Sequence, residues 1–277
     1  MSSSINNNLQ AQLALSILNT TISDLQATQE RVVSGQKVNK PSDNSAIYSE
    51  AQRLRADTDS YSAVTDSLNR ASSIINVATT AGTSISNILN QIKTKIVAGA
   101  DPSNDSTAHQ AYNRDFQALM AQLTRTVQSA TFAGANLLDG TVPTAGLRFI
   151  ADAAASNFLT VSPQNLNLGG GIVTLTGASD ILTVTHANAL LAVIDSSISN
   201  VNGALSSLGS SGTAINDRLK FIGDLTTSLK QGISNLVDAD IAAESARLQA
   251  LQVKQQLGVQ MLSIANSQPQ ILLSLFK

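Results

Sequence analysis

Side chains able to do chemistry are few in this chain, and they are scattered. The two histidines, His109 and His186, stand far apart, with no HExxH motif and no carboxylate cluster around either. His109 lies beside the stretch "DPSND" and reads as a solvated polar residue. Cysteine is absent, which removes disulfides, thiolate metal ligands and a cysteine nucleophile. The glycine-rich "GGGIVTLTG" lacks the Lys-Ser/Thr of a phosphate-binding loop, does not match GxGxxG, and reads as a turn. Asp238, Asp240 and Glu244 in "VDADIAAE" suggest a cation site at first sight. Asp238 and Asp240, however, stand at i, i+2, where helical side chains do not face each other. They read as caps and charge partners for the N-terminus of the last helix. "NTT" at Asn19 and "NDS" at Asn104 fit the N-glycosylation triplet, which is common by chance. These residues predict no enzyme, no cofactor and no metal site.

Composition narrows the classes further. At 277 residues the chain suits one large or two ordinary domains. Charged residues make up 13%, against roughly 25% in average globular proteins. A net charge of −2 gives no electrostatic case for nucleic acid or an anionic membrane. Aromatics are 3% and tryptophan is absent, which leaves little to build a stacked ligand pocket. No apolar run of about 18 residues is present, so no membrane insertion is expected. The N-terminus lacks the basic and apolar regions of an ordinary signal peptide, so any export is expected to take another route. A cysteine-free chain is compatible with export into any redox environment.

The elements that must position these residues are long helices. Apolar residues recur at alternating spacings of three and four, the seam of a packed helix. The first seam reads Ala11, Leu15, Leu18, Ile22, Leu25, Gln29 and Val32. It stops at "SGQKVNKPSDNSA", where Ser42 and Asp43 are capping candidates. A second runs from Tyr61 through Leu68, Ile75, Gly82 and Leu89 to Ile96, and ends at "AGADPSND". A third helix is predicted over Ser106 to Gln128, with Phe116, Leu119, Leu123 and Val127 on one face. Between 139 and about 186, "LRFIA", "FLTVS", "IVTLT" and "ILTVT" predict two β-hairpins or equivalent extended pieces. The seam returns from Leu191 to Leu236, and a final helix is predicted from about Asp238 to Ala265. The two longest seams would each make a rod of roughly 60–80 Å. The fold class is therefore mainly α: an elongated bundle of long coiled-coil helices from both chain ends, with a small central β-hairpin region.

Both ends of the chain are uncharged. No Asp, Glu, Lys or Arg occurs from Gln255 to Phe276, or from Met1 to Ser23. Beside each apolar stripe lie Asn, Gln, Ser and Thr, which can be wet in a monomer and buried in an assembly without desolvating an ion. The ends are expected to pair with each other first, and then with copies of the same protein.

The C-terminal "LVDADIAAESARLQALQVKQQLGVQMLSIANSQPQILLSLFK" resembles the end of bacterial flagellin, and "ISDLQATQERVVSGQKVNKPSDNSAIYSEAQRLRA" resembles its N-terminal region. The resemblance covers about the first 140 and last 90 residues, and the short middle is similar to the short flagellins of alphaproteobacteria. It implies a structural subunit that self-assembles into the flagellar filament for swimming motility. A hook–filament junction protein, and a surface adhesin with flagellin-like ends, are the alternatives. It further implies a terminal coiled-coil domain from 1–43 and 237–277, and a rod domain from 44–236. Its partners would be copies of itself, the flagellar type III export apparatus, an export chaperone, and cap and junction proteins. Secretion to the extracellular filament follows.

Residue by residue, Leu15, Leu18, Ile22 and Leu25 are expected to pack against Leu251, Leu257 and Leu262. Arg31, Lys37 and Asp43 are expected to fix the junction between the two domains and to meet neighbouring subunits. Many flagellins are detected by a mammalian innate receptor through a motif reading roughly Q-R-(V/I)-R-E-L followed by a downstream Glu. At the matching positions this chain has Gln91 for the Arg, Lys95 for the Leu and Asp115 for the Glu, which implies weak or no recognition. Resemblance to O-glycosylated flagellins makes Thr174, Thr176, Ser179, Thr183, Ser207, Ser210 and Ser211 candidate acceptors.

Overall fold

The computed structural model describes residues 8–274, with side chains described as far as Ser267. The first seven and last three residues, and the side chains of the "PQILLSLFK" ending, lie outside the described residues. Helix α1 spans Leu9–Ser34, α2 Ser45–Gly99, α3 Ser106–Ser129, α4 Val184–Val237 and α5 Ile241–Ser274. Strands β1 (Leu147–Ile150) and β2 (Phe158–Val161) lie between α3 and α4.

Each helix starts at a side chain that accepts orphan backbone N–H groups. Asn8 Oδ1 accepts from Ala11 N at 3.1 Å, and Asp105 Oδ1 from Ala108 N at 2.7 Å. Thr183 Oγ1 accepts from His186 N at 3.2 Å. Asp240 Oδ1 accepts from Ala242 N and Ala243 N at 2.9 and 3.1 Å. The start of α2 falls to Asn44, whose Oδ1 accepts from Ile47 N at 3.1 Å. The expected caps Ser42 and Asp43 stand two and one residues too early for that role. Asp43 instead closes the preceding turn.

The chain separates into two compact units. One runs to Ala56 and resumes at Thr227; the other is Asp57–Thr226. Both divisions fall inside helices, beyond the breakers at 35–44 and 238–240, because a continuous helix carries no breaker where its packing partners change.

In the second unit, Leu68, Ile75, Ile85, Leu89, Ile92 and Ile96 of α2 pack with Phe116, Leu123 and Val127 of α3. From α4 come Ala187, Ile194, Val201, Leu208, Ile215 and Ile222, one residue per heptad. Gly82 sits within the α2 seam because a Cβ there would come 2.7 Å from Leu205 Cδ2. His109 is buried, 7% exposed, with Nδ1 unpartnered, which corrects its reading as a solvated residue. Helical phase decides this: His109 precedes the buried Phe116 and Leu123 of the same helix by one and two heptads.

The middle forms one hairpin. β1 and β2 pair antiparallel with Leu147 opposite Val161 and Ile150 opposite Phe158. Ile150 N donates to Ser67 Oγ at 3.3 Å, and Arg218 Nε to Ala151 O at 2.9 Å, fastening the hairpin to α2 and α4. No second hairpin forms. The Thr174 N–H, in "IVTLT", donates to Ser197 Oγ at 3.0 Å, and its hydroxyl to Val193 O at 3.2 Å, so the segment spends these groups on α4. "ILTVT" is taken over by the start of α4 and its Thr183 cap.

The β1–β2 loop is closed by Asp152. Its carboxylate accepts from Ser156 N at 2.8 Å, Ser156 Oγ at 2.5 Å and Asn157 Nδ2 at 2.7 Å. These bonds, the Ser156 hydroxyl first, hold its pKa down at about 2. A lowered folded-state value stabilises the loop above the ordinary carboxylate pKa and loses that stabilisation as pH falls through the folded value. Amide exchange at 151–157 should therefore accelerate between about pH 4 and pH 2, and Asp152→Asn should flatten that dependence. An unchanged acid profile in the variant would refute the assignment.

Candidate functional site

In the first unit α1 and α5 pack antiparallel. Asn8 Nδ2 donates to Ala265 O at 2.7 Å, Leu18 meets Gly258, and Arg31 Nη1 lies 3.5 Å from Glu244 Oε1. Residues turned inward on α1 are Ala11, Ala14, Leu18, Thr21, Leu25, Thr28 and Val32; on α5 they are Glu244, Leu248, Leu251, Gln255, Gly258, Leu262 and Ala265. Both sets keep a strict alternation of three and four, the geometry of a coiled-coil seam.

Against expectation, Leu15 and Leu257 are not in this seam. They are 47% and 52% exposed. Leu18, Leu25 and Leu251 are buried, and Ile22 and Leu262 are half-buried. At every second seam position of α1 the inward residue is the one just before the expected Leu15, Ile22 and Gln29. Ala14, Thr21 and Thr28 hold those positions, and small side chains there let the helices approach. Thr21 turns its hydroxyl onto Ile17 O at 2.9 Å, leaving its methyl for the seam. Gly258 serves the same end, since a Cβ on it would lie 3.1 Å from Leu18 Cδ1.

Outside the seam, further apolar side chains face outward. Leu9, Leu13, Leu15 and Ile17 of α1 are exposed, as are Val253, Leu257, Val259, Met261 and Ile264 of α5. A groove of about 480 Å³ runs between them, lined by Leu13, Ala14, Ile17, Met261 and Ile264. An exposed apolar groove of this kind, flanked by Leu9 on α1 and Leu257 on α5, is a docking surface for protein.

The two chain breaks meet beside the pair. Gly35, at φ 71°, ends α1 in the left-handed conformation and donates to Arg31 O at 2.9 Å. Gln36 bridges Asp238 antiparallel, with Lys37 N donating to Val237 O at 2.7 Å and Ala239 N to Gly35 O at 2.9 Å. Lys37 Nζ donates to Asn235 O at 2.9 Å. Val38, Ala51 and Val237 form a small core beneath. Asp43 Oδ2 accepts from Asn39 N and Lys40 N at 3.0 and 3.1 Å, bonds that hold its carboxyl below the ordinary range. Lys40 in turn pairs with Glu30 at 2.5 Å, which raises its pKa. Each of Arg31, Lys37 and Asp43 thus has a bonded role at the break within its own chain.

In the second unit, Gln91, Lys95 and Asp115 share one groove of about 460 Å³ with Thr94, Leu119, Gln122 and Arg125. Lys95 Nζ binds Asp115 Oδ2 at 2.7 Å, a pairing between α2 and α3 that sequence spacing does not disclose. Among the hydroxyl residues, Ser207 and Ser210 are exposed on α4 and Ser211 is half-buried. The Thr174 hydroxyl is engaged with Val193 O on α4, and those of Thr176, Ser179 and Thr183 in local hydrogen bonds. Among the described residues no group of His, Asp and Glu could hold a metal ion, and no helix is long and apolar enough to cross a membrane.

The family models for the bacterial flagellin N-terminal and C-terminal helical regions match residues 5–142 and 191–276. The chain is 44% identical over 277 residues to flagellin FljJ of Caulobacter vibrioides, covering 100% of this chain and 99% of that protein. It is 32% identical to a flagellin of Brucella melitensis, covering 99% of each. Among solved structures it is similar to a putative flagellar hook-associated protein from Vibrio parahaemolyticus. That likeness has a TM-score of 0.58 at 12% identity, covers 71% of this chain and 100% of the other, and is one of fold alone.

Gly258 gives the test of close approach. Gly258→Val should force the pair apart at Leu18, at a cost of about 1–3 kcal/mol typical of overpacking. Gly258→Ala should be far milder, because its gain of about 0.5–1 kcal/mol in helix stability offsets the contact. Hydrogen exchange should show α1 and α5 losing protection in the valine variant, with α2–α4 of the second unit unchanged. Equal protection in both variants would count against the contact.

Proposed function

The chain belongs to the bacterial flagellin family, and on that premise we propose that it builds the flagellar filament through the outward apolar face of its α1–α5 pair. Flagellins are structural proteins, and this one is a filament subunit rather than an enzyme. The observation that carries the reading is the double use of the terminal helices. One stripe closes the pair, and the next, with Leu9, Leu13 and Ile17 of α1 and Leu257, Met261 and Ile264 of α5, remains uncovered and lies in the uncharged ends. Copies of the same chain are the partners that suit it, because each offers an equivalent surface. Similarity to flagellins over at least 99% of both chains supports the filament subunit over the hook–filament junction protein and over an adhesin. Domains at 1–43 with 237–277, and at 44–236, remain our division by function, with the paired breaks as the junction. Passage through the flagellar export apparatus with a chaperone, contact with cap and junction proteins, and O-linked sugar on exposed hydroxyls such as Ser207 and Ser210 belong to the same proposal.

Filament growth is the test. Seeded with filament fragments, purified protein should extend them into long polymers visible by electron microscopy. Leu18→Asp, which puts an unpaired carboxylate into the seam at a cost of several kcal/mol, should abolish extension while the helices of the second unit keep their circular dichroism. Normal growth by that variant would sink the reading.

Weak detection by the innate flagellin receptor is part of the proposal. Gln91 cannot replace the bidentate fork of an arginine. The Lys95 ammonium, engaged with Asp115, stands where the motif has an apolar residue, and it draws the carboxylate away from an incoming partner. Losing two anchors at about 1–3 kcal/mol each lowers affinity by orders of magnitude. In a reporter-cell assay the protein should be far less potent than a motif-intact flagellin at equal monomer concentration. Equal potency would overturn this.

A further inference from the structure

Glu244 occupies a seam position that heptad packing ordinarily fills with an apolar side chain. Its side chain is 15% exposed, and Oε2 is buried without a partner. Its ion-pair contact is Oε1 to Arg31 Nη1 at 3.5 Å, with Arg31 34% exposed at the end of α1. The pair therefore holds the helices together weakly, and taking charge out of water is costly. What it can supply is discrimination among registers, since a seam that alternates Leu with Ala, Thr and Gly looks similar after a shift of one heptad.

We propose that Arg31 and Glu244 pin the register of the α1–α5 pair. A slip of one heptad in one direction brings Asp24 opposite Glu244, two carboxylates with no cation. A slip the other way sets Arg31 against the buried Leu251 and leaves Glu244 unpaired beyond the end of α1. Both slips leave a buried charge uncompensated, and the native register alone neutralises it. No other charged residue is turned inward on α1 or α5 among the described residues, so the electrostatic discrimination along the seam rests on this couple, beside the backbone bonds that join the two breaks. The position serves it well: Asp240 caps α5 one turn before Glu244, and the helix start favours a carboxylate there. The inference deepens the filament reading, because a slipped pair would shift the outward face by a full heptad. Its geometry depends on the pairing of α1 with α5 and on nothing between subunits.

The chain lacks cysteine, so introduced thiols are unique reporters. Asn19 and Gln256 are exposed and lie level in the native register, whereas Asn19 and Gln249 would be level after a one-heptad slip. Full-length protein carrying either cysteine pair is treated with a short bis-maleimide, and internal cross-links are read on the monomer band, independent of filament growth. With Arg31 and Glu244 intact, the native pair should cross-link and the slipped pair should stay at background. In Glu244→Leu, which removes the buried charge, the slipped pair should rise about tenfold, the size expected of one coupled pair. The exchanged variant, Arg31→Glu with Glu244→Arg, should return it to background. A slipped pair that stays at background in Glu244→Leu while the native pair still links overturns the proposal. So does a reversed-charge variant that fails to restore the native pattern. Filaments that fail to grow while cross-links keep the native register would speak against the assembly reading and leave the pin standing.

Discussion

Closure of α1 on α5 is the contact on which the first unit depends. It joins residues 257 positions apart in sequence, as in the bond from Asn8 to Ala265. Contacts at that separation carry a large loop-closure entropy, which grows slowly with length but is never small. Among the described residues the seam meets that cost with modest material: Leu18, Leu25 and Leu251 buried in the pair, flanked by alanine, threonine and glycine. Small residues bring the helices close, and dispersion rises steeply as the gap closes. Larger side chains at those positions would hold the helices apart and would consume the apolar surface now turned outward.

Hydroxyl and amide side chains make that outward surface fit for burial. Thr20, exposed on α1, bonds Ser16 O at 3.1 Å within its own helix. The same habit recurs in the second unit, where Thr83 bonds Thr79 O and Ser210 bonds Ser206 O. A hydroxyl already donating to its own helix can be covered by another protein without leaving a buried donor unmet. Lysine or glutamate on these faces would impose a desolvation penalty at every contact. The low charge content of the chain is therefore a property of its surfaces, and it matches a protein whose working neighbour is another copy.

Much of the architecture was legible in the order of residues. The five helices follow from heptad spacing and from breakers at Gly35, Pro41 and "ADPSND", because 3.5-residue periodicity and backbone punctuation are local properties. Asp240 as a cap was readable for the same reason. The second hairpin was not. Its β-branched residues suit a strand, but their hydrogen bonds go to Ser197 and Val193, partners some twenty positions away on a helix. Burial of His109 was equally hidden, since a histidine follows neither the apolar nor the polar pattern.

Sequence alone determined the family, the helical class, the absence of residues for catalysis, and the charge-free ends. These follow from composition, periodicity and motif, which need no knowledge of what touches what. Tertiary structure decided which stripe of each terminal helix faces the other. Leu15 and Ala14, or Leu257 and Gly258, are adjacent in sequence and about 100° apart on the helix, and hydrophobicity favours the wrong member of each couple. Close packing chose the smaller one, because helix approach depends on the size of the side chain between the backbones. That choice set the leucines outward, brought Arg31 to Glu244, and exposed the surface on which assembly depends.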